Sequence, residues 1–402
     1  ILPLLRTLIH VQTRLERRWG RMIELGTDEL TMVLRPNVQT MENMELADWV
    51  SVADGIIGIF IDRTGLSSVY GKPRPEPRCP KGYTDSITLG EHSFYLALAI
   101  NERQPIMGCC IRISAQALAY YVEETGREAY RLLQDAYSPD DYELRLSRVD
   151  LTADCVDEGI DVSALYRGLN SGSVLVMREQ VDGRTGKVEL RRSASKLSGY
   201  AVGDSVPTFY LGSRKANVDA LLRVYDKRRE QMETGGRYLS KARSCKDWVR
   251  FEASLRHGYA AQLSEALIEA SSDAEYAELI ASVFAQRYQF HALTVAGLRP
   301  TPWTQRLIGA AGGAPILLLS PSSRDTTLAS SLRYLRDGSG LLPLLYKGAT
   351  IWGEKAPERM LGWLLSSLGS YEPNADCRGW IRRNAGDYAK RYNSVDSFLL
   401  EV

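Results

Sequence analysis

Polar and apolar residues alternate with a period of two along much of the first half of the chain, the pattern of a strand with one buried face. Ser86 to Leu89, Ser93 to Ala99 and Ile106 to Ile113 read as successive strands, separated by turns at Gly90-Glu91 and Asn101-Glu102, and predict an antiparallel meander. The period then changes. Ser114 stands as an N-cap before a helix over 116–136, where Leu118, Tyr121, Val122 and Tyr130 recur at helical spacing. A second round follows: a long strand from Tyr142 to Cys155, a helix from Val162 to Leu169, a strand from Ser173 to Arg178, strands at Val206 to Leu211, Ala220 to Lys227 and Asp247 to Arg256, and a helix from Tyr259 to Arg287. Two rounds of strands closed by a helix predict an α+β fold, with antiparallel sheets from a duplicated strand/helix unit and helices on one face.

Three segments are expected along the chain: an N-terminal helix over 1–30, a main domain over 31–290, and a helical C-terminal region over 291–402 beyond a patch rich in Pro and Gly (Pro300, Pro302, Gly309, Gly312, Gly313, Pro315). Glycine pairs at Gly183-Arg184-Thr185-Gly186 and Gly235-Gly236 mark exposed hairpin tips. A length of 402 residues fits more than one folding unit.

Composition narrows the class. Apolar residues at 44% and charged residues at 25% are ordinary for a globular protein. The longest apolar run, Ala314 to Leu319, is far short of the roughly 20 residues that span a bilayer. Apolar residues near the start give way to Arg14, Arg17, Arg18 and Arg21 without a small-residue cleavage site, so no signal peptide is expected. Six cysteines without CxxC or zinc-type spacing, and four scattered histidines, argue against a zinc site or a disulfide framework and favour a reduced, cytoplasmic setting. Cys109 and Cys155 read as small core residues.

The net charge of +1 hides an asymmetry: residues 178–256 hold 18 Lys/Arg against 10 Asp/Glu, a local excess of 8. A basic stretch of this kind gathers a polyanion. Four segments inside or beside it carry chemistry. In Ser147 to Asp154, Arg148, Asp150, Thr152 and Asp154 share a strand face while Val149, Leu151 and Ala153 turn inward. In Trp248 to Ser254 the same rule groups Arg250, Glu252 and Ser254. If these strands are neighbours, Asp150, Glu252 and Asp154 converge as an all-oxygen set suited to Mg²⁺ or Mn²⁺; otherwise Asp150 and Glu252 pair with Arg148, Arg250 or Arg223. Acids are depleted in strands, which favours the metal.

In Leu222 to Lys227, Arg223, Tyr225 and Lys227 share a face. Flanking cations together with a nearby metal favour a phenolate, and the same cations can grip a phosphate, which makes Tyr225 the candidate nucleophile. Tyr210 is its rival, with only Thr208 and Gly212 beside it on its own strand. Ser213, Arg214 and Lys215 follow in a turn that could hold a DNA phosphate, or be an ordinary solvated turn. Arg148, Arg250, Arg191, Arg192 and, in the C-terminal region, Arg382 and Arg383 complete the expected DNA contacts, with Lys196 beside the Arg191-Arg192 pair.

The succession SRVDLTAD, FYLGSRKAN, LLRVYDKRREQ and WVRFEASL resembles the Rep_trans family of plasmid rolling-circle initiators and related relaxases of integrative conjugative elements. The resemblance covers roughly residues 31–289 and includes MGCCIRISAQAL, similar to the family's helix-entry segment; each motif alone is weak, but four in order are fairly specific. It implies that Tyr225, in R-x-Y-x-K, is the nicking nucleophile, and that Asp150 and Glu252, in R-x-D and R-x-E, serve the metal. Asp154 rests on strand geometry alone. Ala216 departs from the pattern, standing where such proteins often have Ser.

What the resemblance implies is a bacterial, cytoplasmic protein that binds hairpin origin DNA with a single-stranded nick site, cleaves one strand by transesterification, and keeps the 5′ phosphate on tyrosine for rejoining. A host helicase and a homodimer come with it, and no membrane. About 25 residues precede the first expected strand, too few for the N-terminal helix-turn-helix domain of some relaxases, which favours an initiator over a relaxase acting at oriT. A non-catalytic DNA-binding replication regulator and a nuclease that releases free ends remain the alternatives.

Overall fold

The apolar residues of Arg21–Pro36 and Tyr142–Val156 change phase part-way along each strand, so each must carry a bulge to keep one face buried. A computed structural model describes residues 14–18, 21–37, 40, 44–90, 95–181, 187–215, 218–312, 328–337, 340–373 and 375–399. In it these two strands, β2 (Arg21–Pro36) and β7 (Tyr142–Val156), pair antiparallel at the centre of an 11-stranded sheet. Register shifts fall between Thr27 and Glu29 and between Thr31 and Met32. In the first, Thr27 faces Leu151 and Glu29 faces Asp150, leaving Asp28 as the extra residue of a β-bulge.

The sheet grows outward from that centre in two similar halves. On one side of β2 lie β6 (Cys109–Ile113), β5 (Leu96–Ile100), β4 (Asp85–Thr88) and β3 (Arg74–Pro75), with β1 (Arg14–Arg18) also paired to β2. On the other side of β7 lie β13 (Trp248–Arg256), β12 (Ala220–Asp226), β11 (Ser205–Leu211) and β10 (Leu197–Val202). Each half has a long strand, a helix, a four-strand meander whose last member returns beside the long strand, and further helices. The helices are α1 (Trp49–Thr64), α2 (Leu66–Tyr70), α3 (Ala115–Thr125) and α4 (Ala129–Ala136) in the first half, and α5 (Val162–Ser171), α6 (Lys227–Thr234), α7 (Leu239–Ser244), α8 (His257–Glu269) and α9 (Asp273–Arg287) in the second. The expected α+β class, antiparallel sheets and duplicated unit are therefore found.

One continuous core joins alternate residues of the central strands to the helices: Ile23, Leu25, Leu30 and Met32 of β2, Val149, Leu151 and Ala153 of β7, and Val249, Phe251 and Ala253 of β13 pack with Trp49, Phe60, Leu118, Leu133, Leu263 and Ile280. Truncating a buried ring such as Phe251 to Ala costs about 3–5 kcal/mol in such a core. The opposite strand face is left to polar residues. A second, four-stranded sheet, in the order β15 (Gly297–Pro300), β14 (Gln289–Thr294), β8 (Val174–Val181) and β9 (Val188–Arg192), joins the same core through Phe290, whose ring meets Phe251 at 5.5 Å.

Ser114 caps α3, its hydroxyl accepting from the Ala117 amide. The single helix expected over 116–136 is two, because Gly126 ends α3 in the left-handed conformation with φ 66°. The helix expected from Tyr259 to Arg287 is also two, divided where Ser272 caps α9. The N-terminal helix expected over 1–30 is corrected: β1 and most of β2 occupy its second half, and residues 1–13 lie outside the described residues. The boundary expected at 290 also moves. The first compact unit runs to Leu319 and takes in β14, β15 and α10 (Pro302–Ala310), with the second over 320–402. The latter is helical as expected, with α11 (Leu328–Asp337), α12 (Leu341–Trp352), α13 (Ala356–Ser366), α14 (Ala375–Arg391) and α15 (Val395–Leu399). Among the described residues no helix is long and apolar enough to cross a membrane. Cys109 and Cys155 are buried in the core.

Candidate active site

Four adjacent strands bring the candidate residues onto the polar face. Glu252 of β13 is opposite Thr152 of β7 on one side and Arg223 of β12 on the other, and Arg223 is opposite Tyr210 of β11. The next row runs Glu24, Asp154, Arg250, Tyr225 and Thr208 across β2, β7, β13, β12 and β11. On the far side of Glu252 a third row holds Glu29, Asp150 and Ser254. The alternation that buries Leu222, Val224, Phe251, Ala253, Leu151 and Ala153 aims their sequence neighbours at this face.

Tyr225 is buried, 4% exposed, with the Arg223 guanidinium carbon 4.1 Å from its ring centroid and the Lys227 ammonium 5.6 Å away. Both distances are in the range of cation–π attraction. Burial pushes the phenol well above its ordinary value; Arg250 opposes the rise, while Glu252, Asp28 and Asp154 add to it. Burial thus outweighs the cations around the Tyr225 phenol in the protein alone. Lys227 lies just beyond the strand, as the first residue of α6, and pairs with Glu230 at 2.7 Å. Asp226, between them, caps α6 by accepting from the Arg229 amide at 2.8 Å.

The three candidate metal ligands have different surroundings. Arg250 grips Asp154 with two parallel hydrogen bonds of 2.8 and 2.7 Å, and the Trp248 indole donates a third at 2.9 Å. Burial alone would raise this carboxyl, yet Arg250 holds it below its ordinary value. Asp154 is thus a buried partner of Arg250, which takes both of its oxygens. Asp150 is also buried and takes Arg148 at 2.9 and 2.5 Å. Glu252 has only a loose contact with Arg223, at 3.7 Å. Burial, reinforced by Asp28 and Asp150 and opposed by Arg223 and Arg250, pushes its carboxyl up to about 7.

Among the described residues no group of three or more His, Cys, Asp or Glu could hold a metal ion. Two carboxylates, with waters and substrate phosphates completing the shell, are an ordinary arrangement for Mg²⁺. Asp150 and Glu252 offer the hard oxygen donors of that pattern, with Arg148 on both Asp150 oxygens in the protein alone.

Arg148 and Arg250 were expected on DNA. In the protein alone both pair with carboxylates: Arg148 with Asp150 and Glu29, and Arg250 with Asp154 and, at 2.7 Å, Asp28. Asp28, Glu29 and Glu24 all come from the part of β2 that falls within the helix expected over 1–30. The bulge turns Asp28 and Glu29 toward the same polar face, although neighbouring strand residues normally point apart. Lys241 of α7 closes the row, pairing with Glu24 and lying 4.3 Å from the Trp248 ring.

Past β11, Gly212 takes φ 117° and the Ser213 hydroxyl accepts from the Lys215 amide at 3.3 Å, closing the expected turn. Arg214 lies 5.3 Å from the Tyr210 ring, so Tyr210 is flanked by Arg214 and, across the strands, Arg223. Ala216 lies outside the described residues. Arg191 and Arg192 are exposed on β9, where Arg191 pairs with Glu189 at 2.7 Å, and Lys196 is exposed before β10. Arg382 is exposed on α14 in the second unit; the Arg383 side chain lies outside those described.

Residues 144–340 match the replication initiation factor family (Rep_trans). A solved structure of a rolling-circle replication initiator protein from Geobacillus stearothermophilus is similar with a TM-score of 0.46 and 14% identity, over 72% of this chain and 96% of that one. No curated protein matches.

Proposed function

We propose that this chain, whose residues 144–340 match the replication initiation factor family, is a rolling-circle replication initiator that nicks one DNA strand at an origin by transesterification through Tyr225. The observation that carries this reading is the convergence of Tyr225, Arg223, Glu252 and Asp150 on one polar face of three adjacent strands, inside the matched segment.

In this mechanism the Tyr225 phenol loses its proton and its oxygen attacks a phosphodiester phosphorus in line. The bond to the 3′ oxygen breaks, and that oxygen leaves as a hydroxyl after gaining a proton. The 5′ phosphate stays on Tyr225 as a phosphotyrosine, which conserves the ester energy for rejoining. Arg223, stacked on the tyrosine ring, and Arg214, beyond the Gly212 turn, hold the phosphate. Lys227 steadies the ring from the start of α6. Asp150 and Glu252 would hold a divalent ion, Mg²⁺ or Mn²⁺, whose chemistry is to neutralise charge on the non-bridging phosphate oxygens. Asp154 and Asp28 act through Arg250, fixing a buried cation in the row that contains Tyr225. Exposed Arg191, Arg192 and Arg382 are proposed to contact duplex or hairpin DNA, and a homodimer and recruitment of a host helicase come with the reading.

The test is incubation with a supercoiled plasmid carrying the element's own origin, with Mn²⁺ or Mg²⁺. Relaxed DNA with protein covalently attached is expected from the wild type and none from Tyr225→Phe. Binding without any adduct would favour a non-catalytic regulator, and free 5′ phosphates without attached protein would favour a nuclease.

A further inference from the structure

The polar face continues beyond the residues of the family match. Glu29 of β2 accepts from Arg148 at 2.8 Å and from Arg112 of β6 at 3.1 Å, so an unbroken line of ion pairs leads from Asp150 away from Tyr225. At its far end the Arg112 guanidinium lies 5.3 Å from the centre of the Tyr95 ring, and Arg78 lies 5.3 Å from the same ring. Tyr95 stands immediately before β5 and is half-buried; the Arg78 side chain is 63% exposed. At the near end, beyond Tyr225, Tyr210 and Arg214 form a second such pair at 5.3 Å.

The face is thus arranged as an aromatic ring with arginines, then carboxylates and the candidate nucleophile, then another aromatic ring with an arginine. From β11 to β5 the sheet makes six strand-to-strand steps, and at ~4.8 Å each the two tyrosines are about 29 Å apart along it. A polyanion with flat bases complements such a face. Arginines at the two ends meet phosphates, rings and guanidinium planes meet unstacked bases, and the carboxylates lie where the cut is made. A duplex keeps its bases stacked and cannot use the rings.

We propose that Tyr95, with Arg78 and Arg112, is a base-stacking subsite for single-stranded DNA, and that the strand crosses the polar face from Tyr95 to the Tyr210–Arg214 pair. All three residues precede residue 144, outside the family match. The inference rests on the reading of this face as a nicking site, but its test needs no catalysis.

Fluorescence anisotropy of a labelled oligothymidine of about 30 nucleotides measures the subsite directly, because stacking is tolerant of sequence. Tyr95→Ala is expected to weaken binding about tenfold while leaving a duplex of equal length almost unaffected, and Tyr95→Phe to bind within about twofold of the wild type. Arg78→Ala is expected to weaken the same complex and lower its salt slope by about one. Circular dichroism and thermal melting check that the variants fold; should Tyr95→Ala not fold, the exposed Arg78 side chain carries the test. Wild-type affinity in the folded variants, or equal losses for single strand and duplex, overturns the subsite. Covalent adduct formation separates the two readings: stacking intact without any adduct defeats the nicking reading, and an adduct with Tyr95→Ala binding unchanged defeats the subsite.

Discussion

Replacing Glu252 with glutamine removes an acid that the fold keeps at a cost. Its side chain is 13% exposed and meets one cation, Arg223, at 3.7 Å, and that cation is itself 38% exposed and worth little. Burial, with Asp28 and Asp150 adding to it, moves the carboxyl from 4.5 to about 7. The folded value lies above the unfolded one, so the stabilisation from keeping the proton is fully present below about pH 4.5 and is lost as pH rises through about 7. A rise from 4.5 to about 7 corresponds to roughly 3 kcal/mol between those limits. Glutamine does not titrate and keeps a similar shape. Urea unfolding is therefore expected to find Glu252→Gln more stable than the wild type by about 1–3 kcal/mol at about pH 8, with the advantage gone near the unfolded carboxyl value. A stability difference that stays constant with pH would refute the electrostatic reasoning.

The same acids predict a response to metal. Mn²⁺ is expected to raise the melting temperature of the wild type and of Asp154→Asn, but not of an Asp150→Asn, Glu252→Gln double variant; loss of the response in Asp154→Asn alone would return Asp154 to the metal set. Arg250→Met strands Asp154 and Asp28 without their cation, and calorimetry is expected to show a loss of about 3–5 kcal/mol. Gly212→Ala puts a Cβ 3.0 Å from the Ala220 carbonyl oxygen at φ 117°, and is expected to cost about 1–3 kcal/mol in chemical denaturation and to weaken DNA binding through the Arg214 turn.

Strands β7, β12 and β13 were legible because each alternates cleanly through the segment that carries chemistry. Strand geometry alone placed Tyr225, Arg223, Glu252 and Asp150 on faces that the observed pairing brings together. The first part of β2, within the helix expected over 1–30, was not legible for the opposite reason. Ile23 and Leu25 face the helices in one phase and Leu30, Met32 and Leu34 in the other, and the bulge at Asp28 joins them. A strict period of two reads such a stretch as something other than one strand. With β2 went Glu24, Asp28 and Glu29, and with them the reason that Arg148 and Arg250 are occupied. Asp154 shares its strand face with Asp150 as expected, but its partner across the ladder is Arg250, a fact of register that one strand cannot reveal. The same limit applies to Tyr210, whose cationic neighbour Arg223 stands on the next strand.

The claim that Tyr225 is the nucleophile is tested most directly by finding where DNA becomes attached. After reaction with a single-stranded oligonucleotide spanning the origin nick site and Mn²⁺, nuclease and protease digestion followed by mass spectrometry identifies the modified peptide. A 5′-phosphonucleotide on Tyr225, absent from Tyr225→Phe, is the predicted result. The same adduct on Tyr210, or persisting in Tyr225→Phe, would contradict it.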